Sequence, residues 1–167
     1  AFEGAKIQCG MRGAEGAVDH VKIADGKPVW HVIGEGRAKG ICGSGLIDLI
    51  AVLRRLGEID DGGKLLCGER YELGDTGVFL SQRDIREVQL AKGAISAGIK
   101  LLAWRLGVGL EEIEQVFIAG AFGNYMDPAS ACDIGLIPIE LKHRIVPVGN
   151  AAGAGAQMVL DREGSWD

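Results

Sequence analysis

Three stretches of the chain join glycine to the start of a helix. They are Gly43-Ser44-Gly45 ahead of an apolar run, Gly120-Ala121-Phe122-Gly123 behind Val116–Ala119, and Gly149-Asn150-Ala151-Ala152-Gly153 behind Ile145–Val148. A helix N-terminus carries unpaired N–H groups and the positive end of the helix dipole, so it can hold a phosphate or a carboxylate. Glycine there lets a ligand approach the backbone. A tight turn asks for the same residues, so each stretch taken alone keeps two readings. The common nucleotide fingerprints are missing. No G-x-x-x-x-G-K-[ST] occurs, and Gly34-Glu35-Gly36, Gly43-Ser44-Gly45 and Gly153-Ala154-Gly155 each lack the third Gly of G-x-G-x-x-G. Neither H-E-x-x-H nor G-x-S-x-G is present.

The remaining reactive side chains are scattered. Cys9, Cys42, Cys67 and Cys132 form no C-x-x-C pair, which fits neither a zinc site nor a small disulfide scaffold. They read as reduced thiols in small-residue niches, and only Cys42, in its Gly-rich loop, carries a functional alternative. His20, His31 and His143 are isolated and read as surface or hairpin residues.

Of 167 residues 27 are Gly, about 16 % where roughly 7 % is usual. With 4 Pro and no three-residue repeat, the chain is not collagen-like. A mean hydropathy of +0.16 with the apolar residues in blocks excludes a disordered linker. The net charge of −5 and the lack of a Lys/Arg stripe argue against nucleic acid as a partner. No apolar run reaches the ~18 residues of a membrane span, and no signal peptide is visible, so the expected place is the cytoplasm. The start at Ala1, without Met, reads as the cut end of a longer protein.

These candidate residues need elements to position them. Gly4–Cys9 is expected to form a short helix. Residues 16–33, divided by Asp25-Gly26-Lys27-Pro28, predict a β-hairpin. The run Leu46–Leu53 predicts a helix apolar on nearly all sides and therefore buried, with Ser44 as N-cap, Arg54 and Arg55 in its last turn and Gly57 as its stop. Residues 58–78 read as an extended excursion. Ser81-x-x-Asp84 is a capping box, and Ile85, Val88, Ile95, Ile99, Leu102 and Leu106 recur at a helix period, so a helix is expected over 82–106, ended by Gly107. Gly93 and Gly98 inside it each cost ~1 kcal/mol against Ala, which implies that something passes close there. Val116–Ala119 is expected as a short buried strand. Pro128 suits the first turn of a helix over 128–133. Ile145–Val148 reads as a strand near an edge because of Pro147. A last helix follows through Leu160, with Gly149, Ala152, Gly153 and Ala156 on one face, and the final six residues are expected to fray. The fold class is α/β, a single domain over 1–167 with helices packed on a mixed sheet.

Six segments then carry a resemblance. Phe2-Glu3-Gly4-Ala5, Gly10-Met11-Arg12, Gly40-Ile41-Cys42-Gly43-Ser44-Gly45-Leu46-Ile47-Asp48, Asp84-Ile85-Arg86 with Gln89-Leu90-Ala91-Lys92, Ala119-Gly120-Ala121-Phe122-Gly123-Asn124-Tyr125 and Gly149-Asn150-Ala151-Ala152-Gly153 resemble, in order, the carboxy-terminal region of the reductive activators of corrinoid proteins. That family belongs to the actin, hexokinase and heat-shock ATPase superfamily.

The resemblance implies one lobe of an actin-like ATPase fold, with the other lobe and an amino-terminal ferredoxin domain absent from this chain. It implies ATP with Mg, in a site shared with the missing lobe, and a [2Fe–2S] cluster confined to the missing domain. The implied activity is ATP-dependent reduction of Co(II) corrinoid to Co(I) on a methyltransferase or a corrinoid/iron–sulfur protein. The chain alone would not turn over ATP. Carried over residue by residue, Gly120, Ala121, Phe122 and Gly123 resemble the adenosine motif, although its usual pair of adjacent glycines is Gly120-Ala121 here. Gln89, Lys92 and Gly93 lie on the helix that lines the nucleotide in the superfamily. Gly43, Ser44 and Gly45 could face the phosphates, or simply start a helix. Gly149–Gly153 resembles the second connecting motif, where two helices cross between lobes, and is read as hinge packing. No residue is assigned a catalytic or metal-binding role. The rival readings are a dimerisation or partner-docking module with a vestigial nucleotide site, an activator of acyl-CoA dehydratases holding a cluster through Cys42, and a small-molecule kinase.

Overall fold

The structure is a computed structural model that describes residues 6–120, 123 and 125–161. Phe2-Glu3-Gly4-Ala5, Ala121, Phe122, Asn124 and the final six residues lie outside the described residues. Lys6 to Cys9 form turns and Gly10 bridges to Ile41, so the described part of the expected Gly4–Cys9 helix is not helical.

The hairpin is β1 (Ala17–Ala24) and β2 (Lys27–Val32), antiparallel. Its two-residue turn puts Asp25 and Gly26 both at positive φ, 50° and 70°, the geometry that matches strand twist. A bulge between Val18 and His20 adds Asp19 to the strand. The two-residue strand β3 (Gly40–Ile41) pairs with β1 in parallel, giving a mixed sheet of order β2-β1-β3. Helix α1 (Gly43–Arg55) then packs across β1 and β2. Its N-cap is Cys42, not Ser44, and Cys42 makes no side-chain capping bond. The helix therefore starts two residues earlier than capping chemistry predicts, because packing against β1 fixes it. Gly45 shows the packing most directly: a Cβ there would collide with the carbonyl oxygen of Val18.

The excursion contains β4 (Arg70–Glu72), antiparallel to β5 (Phe79–Ser81). Ser81 is also the N-cap of α2 (Gln82–Leu106), and the capping box with Asp84 is complete. Asp84 is fully buried and accepts from the Ser81 and Gln8 amides at 2.9 and 3.0 Å, which ties the start of the chain to this helix. Gly107 ends α2 in the left-handed region at φ 66°.

A short 3-10 turn, Leu110–Glu112, leads to β6 (Val116–Ala119). Next comes α3 (Pro128–Asp133), which has Asp127 as N-cap and Pro128 in its first turn and packs on α1. A second 3-10 stretch, Ile139–Arg144, precedes β7 (Ile145–Gly149) and α4 (Ala151–Leu160). Strands β6 and β7 pair in parallel.

One core unites β1, β3, α1, the start of α2 and α3, around Val18, Ile41, Ile47, Leu53, Ile85 and Ile134. Arg54 and Arg55 at the end of α1 both bind Asp133 of α3. β6 departs from the expected buried strand. Phe117 is 62 % exposed, because the strand has one neighbour and no layer covers that face among the described residues. Gly93 and Gly98 also depart from expectation, since a Cβ at either would meet open space among the described residues. No helix among the described residues is long and apolar enough to cross a membrane.

Candidate functional site

Ligands of parallel α/β sheets bind beyond the carboxyl ends of the strands, where the backbone turns away. β6 and β7 end in such turns. The Gly120 amide donates to the Gly149 carbonyl at 2.6 Å and locks the two turns together. Both glycines need the left-handed backbone, Gly120 at φ 96° and Gly149 at φ 64°. Above Gly120 a Cβ would find open space among the described residues, so the backbone is free for close approach. Gly123 differs. It is buried, its amide donates to the Gly120 carbonyl at 3.1 Å, and a Cβ there would collide with Ile118. Gly120 thus presents a surface while Gly123 closes the turn beneath it. On the β7 side Asn150 caps α4, its side chain accepting from the Gly153 amide at 3.1 Å. Among the described residues the Ala151 and Ala152 amides at that end take no backbone partner.

The other candidates lie on different partners. The Gln89 amide donates to the Gly62 carbonyl at 2.9 Å, on the excursion loop. The Lys92 ammonium donates to the Ile134 carbonyl at 2.6 Å, just past α3. Burial, aided by the nearby Arg54 charge, pushes the Lys92 pKa down. Lys92 borders a cavity of about 360 Å³ with Arg54, Ser96 and Lys100, whereas Gln89 borders a separate one with Lys64 and Arg86. One turn of α2 therefore serves two clefts. Gly43, Ser44 and Gly45 are buried, and the Ser44 hydroxyl lies 3.4 Å from the Cys42 sulfur. Ala121 and Phe122 lie outside the described residues.

The motif resemblance assigns Gly149 to hinge packing. Its hydrogen bond to Gly120 sets the two glycine turns side by side. The signal was available, because strand–glycine–helix occurs twice in succession and parallel strands align such turns.

The residues present fit a nucleotide at the Gly120 turn, where a Cβ would meet open space among the described residues. They do not fit an iron–sulfur cluster. Cys42 and Cys132 are buried, Cys9 is half-buried and Cys67 exposed. Burial raises the Cys132 pKa, which favours the thiol over the thiolate a cluster needs. Among the described residues no group of three or more His, Cys, Asp or Glu could hold a metal ion.

Residues 1–167 match the family model described as the C-terminal domain of RACo, the ASKHA domain. The chain is 37 % identical over 186 residues to the corrinoid activation enzyme RamQ of Eubacterium limosum, covering 96 % of this chain and 31 % of that protein. It is 31 % identical to the [Co(II) methylated amine-specific corrinoid protein] reductase of Methanosarcina barkeri, covering 97 % of this chain and 34 % of that one. A solved structure, a reductive activator for corrinoid, iron–sulfur protein, superposes with a TM-score of 0.81 at 35 % identity, over 95 % of this chain and 29 % of its own. The chain thus spans about a third of the length of these relatives.

Proposed function

The chain belongs to the family of C-terminal ASKHA domains of RACo, and from that premise we propose that it is the adenosine-side half of a nucleotide site in an ATP-dependent reductive activator of corrinoid proteins. The observation that carries this reading is the pair of glycine turns, Gly120 hydrogen-bonded to Gly149, at the carboxyl ends of two parallel strands. The parent protein would pass one electron to Co(II) corrinoid on a methyltransferase-system protein or a corrinoid/iron–sulfur protein, giving Co(I). Bound ATP, with Mg, supplies the free energy for that uphill transfer. In this chain Gly120 and Gly149 would seat the nucleoside, and the α4 N-terminus would turn its dipole toward it. Gly93 and the small residues of α4 would face the partner lobe, whose residues handle the phosphates and the metal. Coupling then comes from the different affinities of open and closed lobes for nucleotide and partner. The [2Fe–2S] cluster belongs to another part of the parent.

ATP titration of the full-length protein and of this chain tests the half-site. Full-length protein should bind at least 100-fold more tightly, and equal, tight binding by both would overturn the reading. Gly120→Ala in the full-length protein separates a working site from a vestigial one. At φ 96° the substitution strains the backbone even though the methyl meets no neighbour among the described residues, so the fold is checked by circular dichroism, and an unchanged ATP affinity with the fold intact would argue for the vestigial alternative.

A second reading has its own observation. The outer surface of α2, β6 and α4 exposes Leu101, Leu102, Trp104, Phe117, Met158 and Leu160. A surface of this kind suits docking, either of the rest of the parent or of a second copy in a homodimer.

A further inference from the structure

The two histidines of the hairpin stand directly opposite each other. His20 of β1 and His31 of β2 are cross-strand partners, so both side chains rise from the same face of the sheet, half or more exposed. Opposed residues place their Cβ atoms ~4.5–5.5 Å apart, and two imidazoles at that spacing can converge on one ion.

Each ring is also held from behind. His20 Nδ1 lies 3.2 Å from Asp48 Oδ2, and His31 Nδ1 lies 2.6 Å from Asp19 Oδ1. Both carboxylates are buried, Asp48 by its place on α1 and Asp19 by the bulge that inserts it beside His20. A carboxylate at Nδ1 fixes the proton there and leaves Nε2 as the free lone pair. That is the arrangement which orients metal-ligating histidines and raises their basicity. Neither Nε2 has a hydrogen-bond partner among the described residues.

We propose that His20 and His31 form a chelating site on the outer face of the hairpin for a divalent transition-metal ion of borderline softness, bound through both Nε2 atoms. Imidazole pairs suit Zn²⁺, Ni²⁺ and Cu²⁺ rather than Mg²⁺ or Ca²⁺. Among the described residues no third His, Cys, Asp or Glu joins them. Water or an incoming ligand therefore completes the coordination, and the site is open.

Ni²⁺ titration of the full-length protein by calorimetry, in parallel with variants checked by circular dichroism, tests the proposal. His20→Ala and His31→Ala should each weaken Ni²⁺ binding by at least ~10-fold, and the double variant should be scarcely weaker than either single one, because a chelate is lost with its first arm. Asp19→Asn, which keeps both rings, should weaken binding by ~10-fold or more. Three results would overturn the proposal. They are no Ni²⁺ binding by the wild type, binding that survives the double substitution, or single losses that multiply as they would for two independent imidazoles.

Discussion

Helices α1 and α2 are both rich in Ile, Leu, Val and Ala, yet eleven of 13 residues are buried in α1 and only four of 25 in α2. Helix α1 spends its apolar surface inside the chain, against β1, β2 and α3. Helix α2 is seated mainly by its first two turns, through Asp84, Ile85 and Val88, with Ala103 buried near its far end, while Leu101, Leu102, Trp104 and Leu106 stand exposed. Helix α4 buries no residue at all. The contrast teaches that one sequence pattern serves two purposes here. Around α1 it closes a core. Around α2, β6 and α4 it makes a surface whose complement lies outside the described residues.

The strongest way to break the comparison is to truncate both helices. Leu53→Ala in α1 should cost ~2–5 kcal/mol of stability, read by urea denaturation of the chain. Leu102→Ala in α2 should change it by no more than ~0.5 kcal/mol. Equal costs would mean that α2 is packed in solution, by self-association or otherwise. In the full-length protein the Leu102→Ala cost should rise above ~1.5 kcal/mol if the remainder of the parent covers that face.

Glycines sharpen the same contrast. Gly45→Ala drives a methyl group into the Val18 carbonyl and should cost ~1–3 kcal/mol or more by prising α1 from β1. Gly93→Ala meets open space in a helix interior and should stabilise the isolated chain by ~0.5–1 kcal/mol. In the full-length protein the same Gly93→Ala substitution should weaken ATP binding if the missing lobe brings the nucleotide to that turn. Thermal melts of the chain and ATP titration of the parent give the two readouts.

What was legible in the sequence follows the range of the forces involved. Helix α2 could be read because its capping box, its period and Gly107 are all local. The hairpin could be read because Asp25-Gly26 fixes a two-residue turn. Counting back from that turn also pairs His20 with His31, although no motif joins them in the sequence. What escaped depends on contacts between distant segments. The Cys42 cap is set by packing on β1, the Gly120–Gly149 bond by parallel pairing, and the separate partners of Gln89 and Lys92 by two different loops. The missing layer over β6 escaped for a further reason: Val116–Ala119 is apolar whether its cover comes from this chain or another.

The smallest predicted effect compares two carboxylates beside one cleft, Asp48 of the closed core and Asp127 at the start of α3. Burial raises the Asp48 pKa above its ordinary 3.8, against the smaller lowering pull of the Ser130 hydroxyl, the Val21 amide and His20, and the negative Asp127 adds a little to the rise. For Asp127 burial acts in the same upward direction, but the Ser130 hydroxyl and amide, the Ala129 amide and the Arg55 charge outweigh it and lower the pKa. The signs therefore oppose. A raised folded-state pKa gives a stabilising contribution that is complete below 3.8 and lost as pH rises through the raised value. A lowered one gives a contribution that is complete above 3.8 and lost as pH falls through the lowered value. The melting temperature of Asp48→Asn minus that of the wild type should climb as pH is raised from 3 toward neutrality, on the order of a few degrees. The same difference for Asp127→Asn should fall over the acid end of that range. Parallel slopes would show that the two carboxylates share one environment, and that the closed core and the α3 cap titrate as a single unit.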